Sequence, residues 1–182
     1  MSFTPRILRC FIRIVKPIHL GLLTFIFFIG AVSCEKDDIC VDGDTPLLIL
    51  RFYDATDTSA VKTVTNLRII GIGNGEPVDT FTDRSTTDSV AIPLRVNYGD
   101  TQFQLILNSA DDEEGNETGN IDTLQFNYIT QEVFISRACG FVANFGEMQE
   151  SLTTDSDNWI QNIEIADTLI TSQLNAHVKI FH

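Results

Sequence analysis

The sequence predicts an all-β domain: an antiparallel β-sandwich, Ig-like or of a related two-sheet fold. Apolar and polar residues alternate along several short runs, the pattern of strands with one buried and one solvated face. Clusters of Gly, Asn and Asp separate the runs at short intervals, so eight or nine strands are expected. The clearest alternating faces are Val90, Ile92, Leu94 and Val96, then Phe103, Leu105 and Leu107, then Leu124, Phe126 and Tyr128.

The first 33 residues differ in composition from the rest of the chain. They contain four basic residues and no acidic ones, and residues 18–32 are almost entirely apolar. A basic flank followed by a short apolar run and small residues is typical of a secretory signal peptide. A membrane-spanning helix needs about 20 apolar residues, and this run has 15 positions. Residues 1–33 are therefore predicted to be a signal peptide.

The apolar run ends in Ala31-Val32-Ser33-Cys34, which resembles a lipobox, the motif of bacterial lipoprotein precursors. The resemblance implies that Cys34 receives diacylglycerol and becomes the first residue of the mature chain, although Ala31 differs from the Leu most common at its position. Acyl chains anchor a protein stably because each buried methylene contributes about 0.8 kcal/mol. The alternative is ordinary secretion, with Cys34 in a disulfide.

Residues 34–45 are expected to form the lipidated N-terminus and a solvated tether to a single domain over residues 46–182. Lys36, Asp37 and Asp38 resemble the short export signal that sends lipoproteins of the Bacteroidota to the outer face of the cell. Any polar linker would have a similar composition. The expected location is the outer membrane, with periplasmic or surface-facing orientation left open.

Net charge restricts the partners. Removal of residues 1–33 takes the net charge from −13 to −17. An excess of this sign repels phosphate backbones and anionic headgroups, so nucleic acid is not expected as a partner. The remaining chain is long enough to bury the core of one domain.

Two cysteines are expected to pair within the domain. Cys10 leaves with the signal peptide, and Cys40 and Cys139 remain as an even pair in a compartment that permits disulfides. The bond would close a loop of 99 residues, and the chain-entropy model assigns such a loop about 4–5 kcal/mol. Two free buried thiols or a reactive Cys139 are the alternatives.

The other strands are predicted from shorter apolar runs. Pro93 has no N–H, so its strand should lie at a sheet edge or carry a bulge. Residues 146–152 offer the only potential short helical turn. The remaining strand candidates are residues 47–53, 61–70, 132–138, 141–145, 159–166 and 176–181.

With the anchor and strands placed, the mature chain resembles an uncharacterised family of Bacteroidota lipoproteins, a domain of unknown function. The resemblance implies one domain and a cell-envelope address, and it implies no activity. It is carried by Cys34-Glu35-Lys36-Asp37-Asp38-Ile39-Cys40, by residues 47–54, by Ile135-Ser136-Arg137-Ala138-Cys139-Gly140-Phe141 and by residues 158–182.

Two loops could bind ligands, and each has a simpler interpretation. The acidic residues 111–117 could supply oxygens to Ca²⁺, but they lack the spacing of an EF-hand, and a solvated loop is the favoured interpretation. The glycine-rich residues 71–75 lack the spacing of a phosphate-binding loop, and a turn or bulge is favoured.

Two sets of side chains also suggest chemistry. Cys139 and His177 could act as a nucleophile and its base, unless a disulfide consumes the thiol. Phe141, Phe145 and Trp159 could form an aromatic platform for a sugar or peptide, although aromatic residues in strands are more often buried in the core.

The leading hypothesis is a lipid-anchored protein of the cell envelope that acts as a non-enzymatic binding or structural module, without a cofactor or metal. An envelope protein or a glycan would contact its loops or an exposed sheet edge. The alternative is an extracytoplasmic hydrolase or thiol enzyme that uses Cys139 and His177.

Overall fold

Nine strands and no helix make up the part of the chain that the computed structural model describes, which is Cys40 and residues 43–182. The signal peptide 1–33, Cys34 and the export-signal residues Lys36, Asp37 and Asp38 lie outside the described residues. The strands are β1 (Leu48–Tyr53), β2 (Val64–Gly71), β3 (Ser85–Thr87), β4 (Ser89–Ile92), β5 (Asp100–Leu107), β6 (Asn120–Ser136), β7 (Gly140–Leu152), β8 (Asn162–Ile165) and β9 (Val178–Phe181).

The strands form two sheets that pack face to face, as predicted. One sheet has four strands in the order β4-β1-β9-β8, and the other has five in the order β3-β2-β5-β6-β7. Every pair is antiparallel except β1 and β9, which run parallel. The chain passes from one sheet to the other between β3 and β4, at Asp88. The described residues contain no helix that is long and apolar enough to cross a membrane.

The core lies between the sheets and is filled by alternate residues of the strands. Val90, Ile92 and Leu94 are buried, as the alternation predicts, whereas Val96 is exposed because β4 ends at Ile92. Pro93 follows at once, and β4 is an edge strand, so the predicted edge position of its strand is confirmed. The inner faces of β5 and β6 are likewise buried at Phe103, Leu105, Leu124, Phe126 and Tyr128.

The long hairpin of β6 and β7 differs from the prediction. Residues 132–138 are not a separate strand, because β6 is continuous over 17 residues with a register irregularity between Asn127 and Ile129. Residues 146–152 form no helical turn. They belong to β7, where Leu152 pairs with Leu124 and Glu150 with Phe126.

The outer part of this hairpin extends past its neighbour. β5 pairs with β6 only as far as Asp100 opposite Asn127, and the Tyr128 N–H then donates to the carbonyl of Gly99. Residues 129–145 therefore lie beyond the part of the hairpin that β5 covers, and we call them the ribbon. Its outermost residues, 133–141, are called the tip.

The strand directions give the sandwich two distinct ends. The tip, the loop 93–99 and the start of β1 lie at one end, which we call the tip end. The loops 54–63, 108–119 and 153–161 lie at the other, which we call the acidic end. These three loops carry nine of the 25 acidic residues and one basic residue.

Candidate functional site

A disulfide joins the start of the described domain to the ribbon. Cys40 and Cys139 are bonded, with their Cα atoms 4.9 Å apart, as the sequence predicted. Cys139 lies in the turn between β6 and β7. The Ala143 N–H donates to Thr45 Oγ1 at 3.2 Å, so the incoming chain is also held along β7. A Cβ at Gly43 would lie 2.2 Å from Cys40 Sγ, and hence only glycine fits against the bond without rearrangement.

His177 does not form a catalytic pair with Cys139. Its ring is 3% exposed, and its Nδ1 accepts a hydrogen bond from the Ile49 N–H at 2.9 Å. Burial lowers the pKa of His177, which keeps the ring in its neutral form. The thiol of Cys139 is consumed in the disulfide. Because Nδ1 already accepts a backbone hydrogen bond and the sulfur is oxidised, the disulfide-bonded domain contains no Cys139–His177 nucleophile and base pair.

The acidic loop is organised by its own carboxylates. Asp112 Oδ1 accepts hydrogen bonds from the backbone N–H groups of Glu114 and Asn116 at 2.9 and 2.8 Å, and the Asn116 side chain donates to Asp112 Oδ2 at 3.0 Å. Asp111 forms an ion pair with Arg84. These carboxylates therefore stabilise the turn itself. Among the described residues, no three or more His, Cys, Asp or Glu side chains are grouped so as to hold a metal ion.

Glu117 is the residue that closes this loop. Its Oε1 accepts from the backbone N–H groups of Ala110 and Gly119 at 3.0 and 2.9 Å, and its Oε2 accepts from the hydroxyl of Ser109 at 2.7 Å. Arg84 and Arg68 lie 3.5 and 3.4 Å from Oε2. The sequence prediction of a solvated loop missed this partly buried network, because its two arginines come from separate segments.

The titration of Glu117 should make stability depend on pH. Burial opposes ionisation, but the hydrogen bonds from Ser109, Gly119 and Ala110 and the charge of Arg84 outweigh it and lower the pKa to about 2. Since the folded pKa lies below the ordinary value of 4.5, this stabilisation is present above pH 4.5 and is lost as the pH falls towards 2. We expect Glu117→Gln to lower the unfolding free energy at pH 7 by about 1–2 kcal/mol. Between pH 4.5 and pH 2, the unfolding free energy of the variant should fall less steeply than that of the wild type. Thermal unfolding from pH 7 to pH 2 measures both effects.

Glu113→Gln is the matched control for this variant, because Glu113 is an exposed residue of the same loop. It removes one negative charge without removing a hydrogen bond recorded for the loop. Equal stability of the two variants at pH 7 would show that the Glu117 network contributes nothing.

Asp122 is a buried carboxylate that the sequence analysis did not single out. Its side chain accepts from the Ile160 N–H at 2.8 Å and from the Asn158 side chain at 3.0 Å. Burial raises its pKa. It lies two residues before Leu124 on the inward face of β6, and this register is the signal that could have located it. Asp122 holds the loop 153–161 against the sandwich, so its role is structural.

An open cleft of about 310 Å³ lies at the tip end, between the turn at 71–75 and the loop 93–99. Gly73 and Gly75 adopt positive φ angles of 99° and 79°, which confirms that the glycine-rich segment is a turn. The walls of the cleft combine apolar and polar groups, a composition typical of small-ligand sites. The side chains that line the cleft include Ile72, Asn74, Glu76, Arg95 and Tyr98.

Arg95 and Tyr98 form the rigid wall of this cleft. The Arg95 guanidinium lies 4.3 Å from the centre of the Tyr98 ring and donates to the carbonyl of Asp100 at 2.9 and 3.1 Å. The Tyr128 hydroxyl donates to the carbonyl of Arg95 at 2.8 Å, which fixes the loop to β6. Tyr98 is 59% exposed. The cleft thus presents a pre-positioned aromatic ring beside hydrogen-bonding groups.

The three aromatic residues considered for a platform are not brought together. Phe145 is fully buried against Tyr128, with ring centres 5.1 Å apart. Trp159 is 7% exposed, and its indole N–H donates to the carbonyl of Leu105 at 3.2 Å. Phe141 is 67% exposed and packs on Phe134 at the tip. The favoured interpretation, burial in the core, is confirmed for Phe145 and Trp159 and is wrong for Phe141.

These features define a disulfide-linked, all-β two-sheet domain with an open cleft and an apolar ribbon at one end. The chain belongs to the DUF6452 family, described as a family of unknown function, whose model matches residues 66–182. The match runs from β2 to the last residue and so includes both the cleft and the ribbon. No curated protein and no solved structure gave a significant match.

Proposed function

We propose that this protein is a lipid-anchored component of the cell envelope, at the outer membrane, and that its β-sandwich is a non-enzymatic binding or structural module. The observation that carries the proposal is the Cys40–Cys139 disulfide. Disulfides persist in oxidising compartments outside the cytoplasm, which is where a signal peptide over residues 1–33 would deliver the chain. The bond also removes the thiol on which the alternative, a Cys139 and His177 enzyme, depends.

The anchor is tested by cell fractionation. We expect the wild-type protein to be recovered in the outer membrane with acyl chains on Cys34, and Cys34→Ser to carry no acyl chain and to be lost from the outer-membrane fraction because the anchor chains are absent. Immunoblotting of the fractions and mass spectrometry of the purified protein are the measurements. Cys10→Ser is the matched control, since Cys10 is removed with the signal peptide.

Recovery of a full-length chain that retains Met1, or of a mature chain without a fatty acyl group on Cys34, would contradict the anchor. Protease treatment of whole cells then decides the orientation. Digestion of the domain supports the export role of Lys36, Asp37 and Asp38, and survival beside digested surface proteins argues against it.

For the module itself, we propose that the cleft binds an envelope glycan. Sugar rings are recognised by an apolar face against an aromatic ring together with hydrogen bonds to their hydroxyls. Tyr98 supplies the ring, and Asn74, Glu76 and Arg95 supply polar groups around it. The ring and the guanidinium are already held in place, so binding costs little ordering entropy.

Binding to the cleft is tested with purified cell-envelope polysaccharides. We expect Tyr98→Ala to weaken binding by about tenfold or more, since loss of one well-packed aromatic contact is worth about 1–2 kcal/mol. Isothermal titration calorimetry measures the affinity. Val61→Ala, another exposed apolar residue but at the acidic end, is the control. Equal affinities for the two variants would place the binding site elsewhere.

A further inference from the structure

We infer that the tip inserts its apolar side chains into the lipid surface beside the anchor, so that the domain is held to the membrane at two points. This inference rests on the proposed lipidation of Cys34. The tip would then be a second membrane contact, in addition to the lipid anchor.

The first observation is the concentration of exposed apolar side chains. Five of the twelve large hydrophobic residues that are exposed in the described structure lie in the ribbon. Phe134 and Phe141 are 56% and 67% exposed, and their rings pack together at 5.3 Å. A monomeric soluble protein rarely exposes such a cluster unless something covers it. The five exposed residues are Ile129, Val133, Phe134, Ile135 and Phe141.

The second observation is the charge of the same segment. Residues 133–146 contain one charged side chain, Arg137, in a chain with 25 acidic residues. The tip therefore carries no charge that an anionic lipid surface would repel, and Arg137 would meet lipid phosphates favourably. A protein partner recruited by charge would be expected at the acidic end instead.

The third observation is covalent. Cys139 lies in the turn of the tip and is bonded to Cys40. Cys40 is only six positions after Cys34, and six residues of fully extended chain span at most about 22 Å. Whatever path the tether takes, acyl chains on Cys34 keep the tip within that distance of the lipid. Membrane is thus the surface that the tip meets at the highest effective concentration.

The arrangement of the two ends agrees with this orientation. The acidic end, with nine acidic residues in its three loops, lies at the other end of the strands from the tip. Insertion of the tip points those carboxylates away from anionic headgroups, where repulsion is weakest. Partial insertion of a few aromatic side chains needs no membrane-spanning element.

The test uses tryptophan as a depth probe. Phe141→Trp and, separately, Phe134→Trp are introduced into the full lipidated chain. Each protein is purified from a bacterial host that lipidates precursors and is reconstituted into vesicles of phosphatidylethanolamine and phosphatidylglycerol. We expect brominated lipids to quench at least about half of the added fluorescence and its emission to shift to shorter wavelength, as for residues in the acyl boundary. Trp159 is buried at the acidic end and serves as the internal control.

Ile121→Trp is the matched control variant. Ile121 is 37% exposed on the same strand, β6, but at the acidic end. We expect no quenching there. A second comparison measures vesicle sedimentation of residues 34–182 carrying Cys34→Ser, which have neither the signal peptide nor the acyl chains. Adding Phe134→Glu and Phe141→Glu should lower the bound fraction by about tenfold, and adding Ile121→Glu should not.

Each outcome is decisive. Quenching at residues 134 and 141 but not at 121 supports insertion. No quenching while mass spectrometry finds acyl chains on Cys34 overturns insertion and leaves the anchor intact. A protein without acyl chains contradicts the proposed function, and the sedimentation comparison then judges insertion by itself. A dimer in detergent that Phe134→Glu and Phe141→Glu convert to monomers, without quenching in the vesicles, would show that a second copy covers the tip.

Discussion

Reduction of the Cys40–Cys139 disulfide is expected to lower the free energy of unfolding by about 4–5 kcal/mol. The bond closes a loop of 99 residues, and a loop of this size restricts the unfolded chain more strongly than a short one. Total stabilities of such domains are about 5–15 kcal/mol, so the loss is a large fraction. Urea denaturation with and without reductant, followed by the fluorescence of Trp159, measures it.

The double variant Cys40→Ser and Cys139→Ser is the control, because reductant should leave its stability unchanged. Coincident wild-type curves with and without reductant would contradict the prediction. Rapid alkylation of Cys139 at neutral pH in the native, unreduced protein would show a free thiolate and would return the thiol-enzyme alternative to consideration.

Truncation of Phe145 should be nearly as damaging as loss of the disulfide. Phe145 is fully buried and packs against Tyr128, and β7 here forms a bridge with Ile170. Phe145→Ala leaves a cavity between the sheets, for which the expected cost is about 3–5 kcal/mol. Chemical denaturation of the oxidised protein measures this difference.

Phe141→Ala provides a control of the same residue type on the same strand. Phe141 is 67% exposed, and its ring packs on Phe134 at the surface. Its expected cost is below about 1 kcal/mol. If both variants were equally destabilised, Phe141 would be part of the core, and the separation between the sandwich and its exposed tip would be wrong.

Much of the fold could be predicted because burial imposes a period of two on each strand. Leu124, Phe126 and Tyr128 alternate with polar residues and are buried as expected. Alternation alone fails where a second layer covers the outer face. Ile106 lies on the polar side of β5 yet is 1% exposed, because the loop 108–119 folds back over it. A Cβ at Gly119 would lie 2.6 Å from its side chain.

The predicted helical turn at residues 146–152 is wrong for a different reason. Glu, Met and Gln favour helices in isolation, but here the backbone of this segment pairs with β6. The residues that it pairs with lie 17 to 28 positions earlier in the chain, and local propensity does not contain that information.

The candidate site was the least predictable feature. Arg95, Tyr98 and the turn at 71–75 come from separate segments and meet only in the folded protein. The disulfide could be predicted because parity and compartment restrict the choice to one pair. The exposure of Phe141 could not, since the sequence does not show that β5 ends before the ribbon does.

The linkage between Cys40 and the turn of the ribbon has a mechanical consequence. In the proposed lipid-anchored protein, a force applied through the residues before Cys40 reaches the fold along two routes. One route follows the backbone into β1, and the other crosses the sulfur bridge into β6 and β7. The force is therefore distributed over both sheets, and it does not act on β1 alone to separate that strand from its neighbours. A reducing environment would concentrate the whole pull on β1.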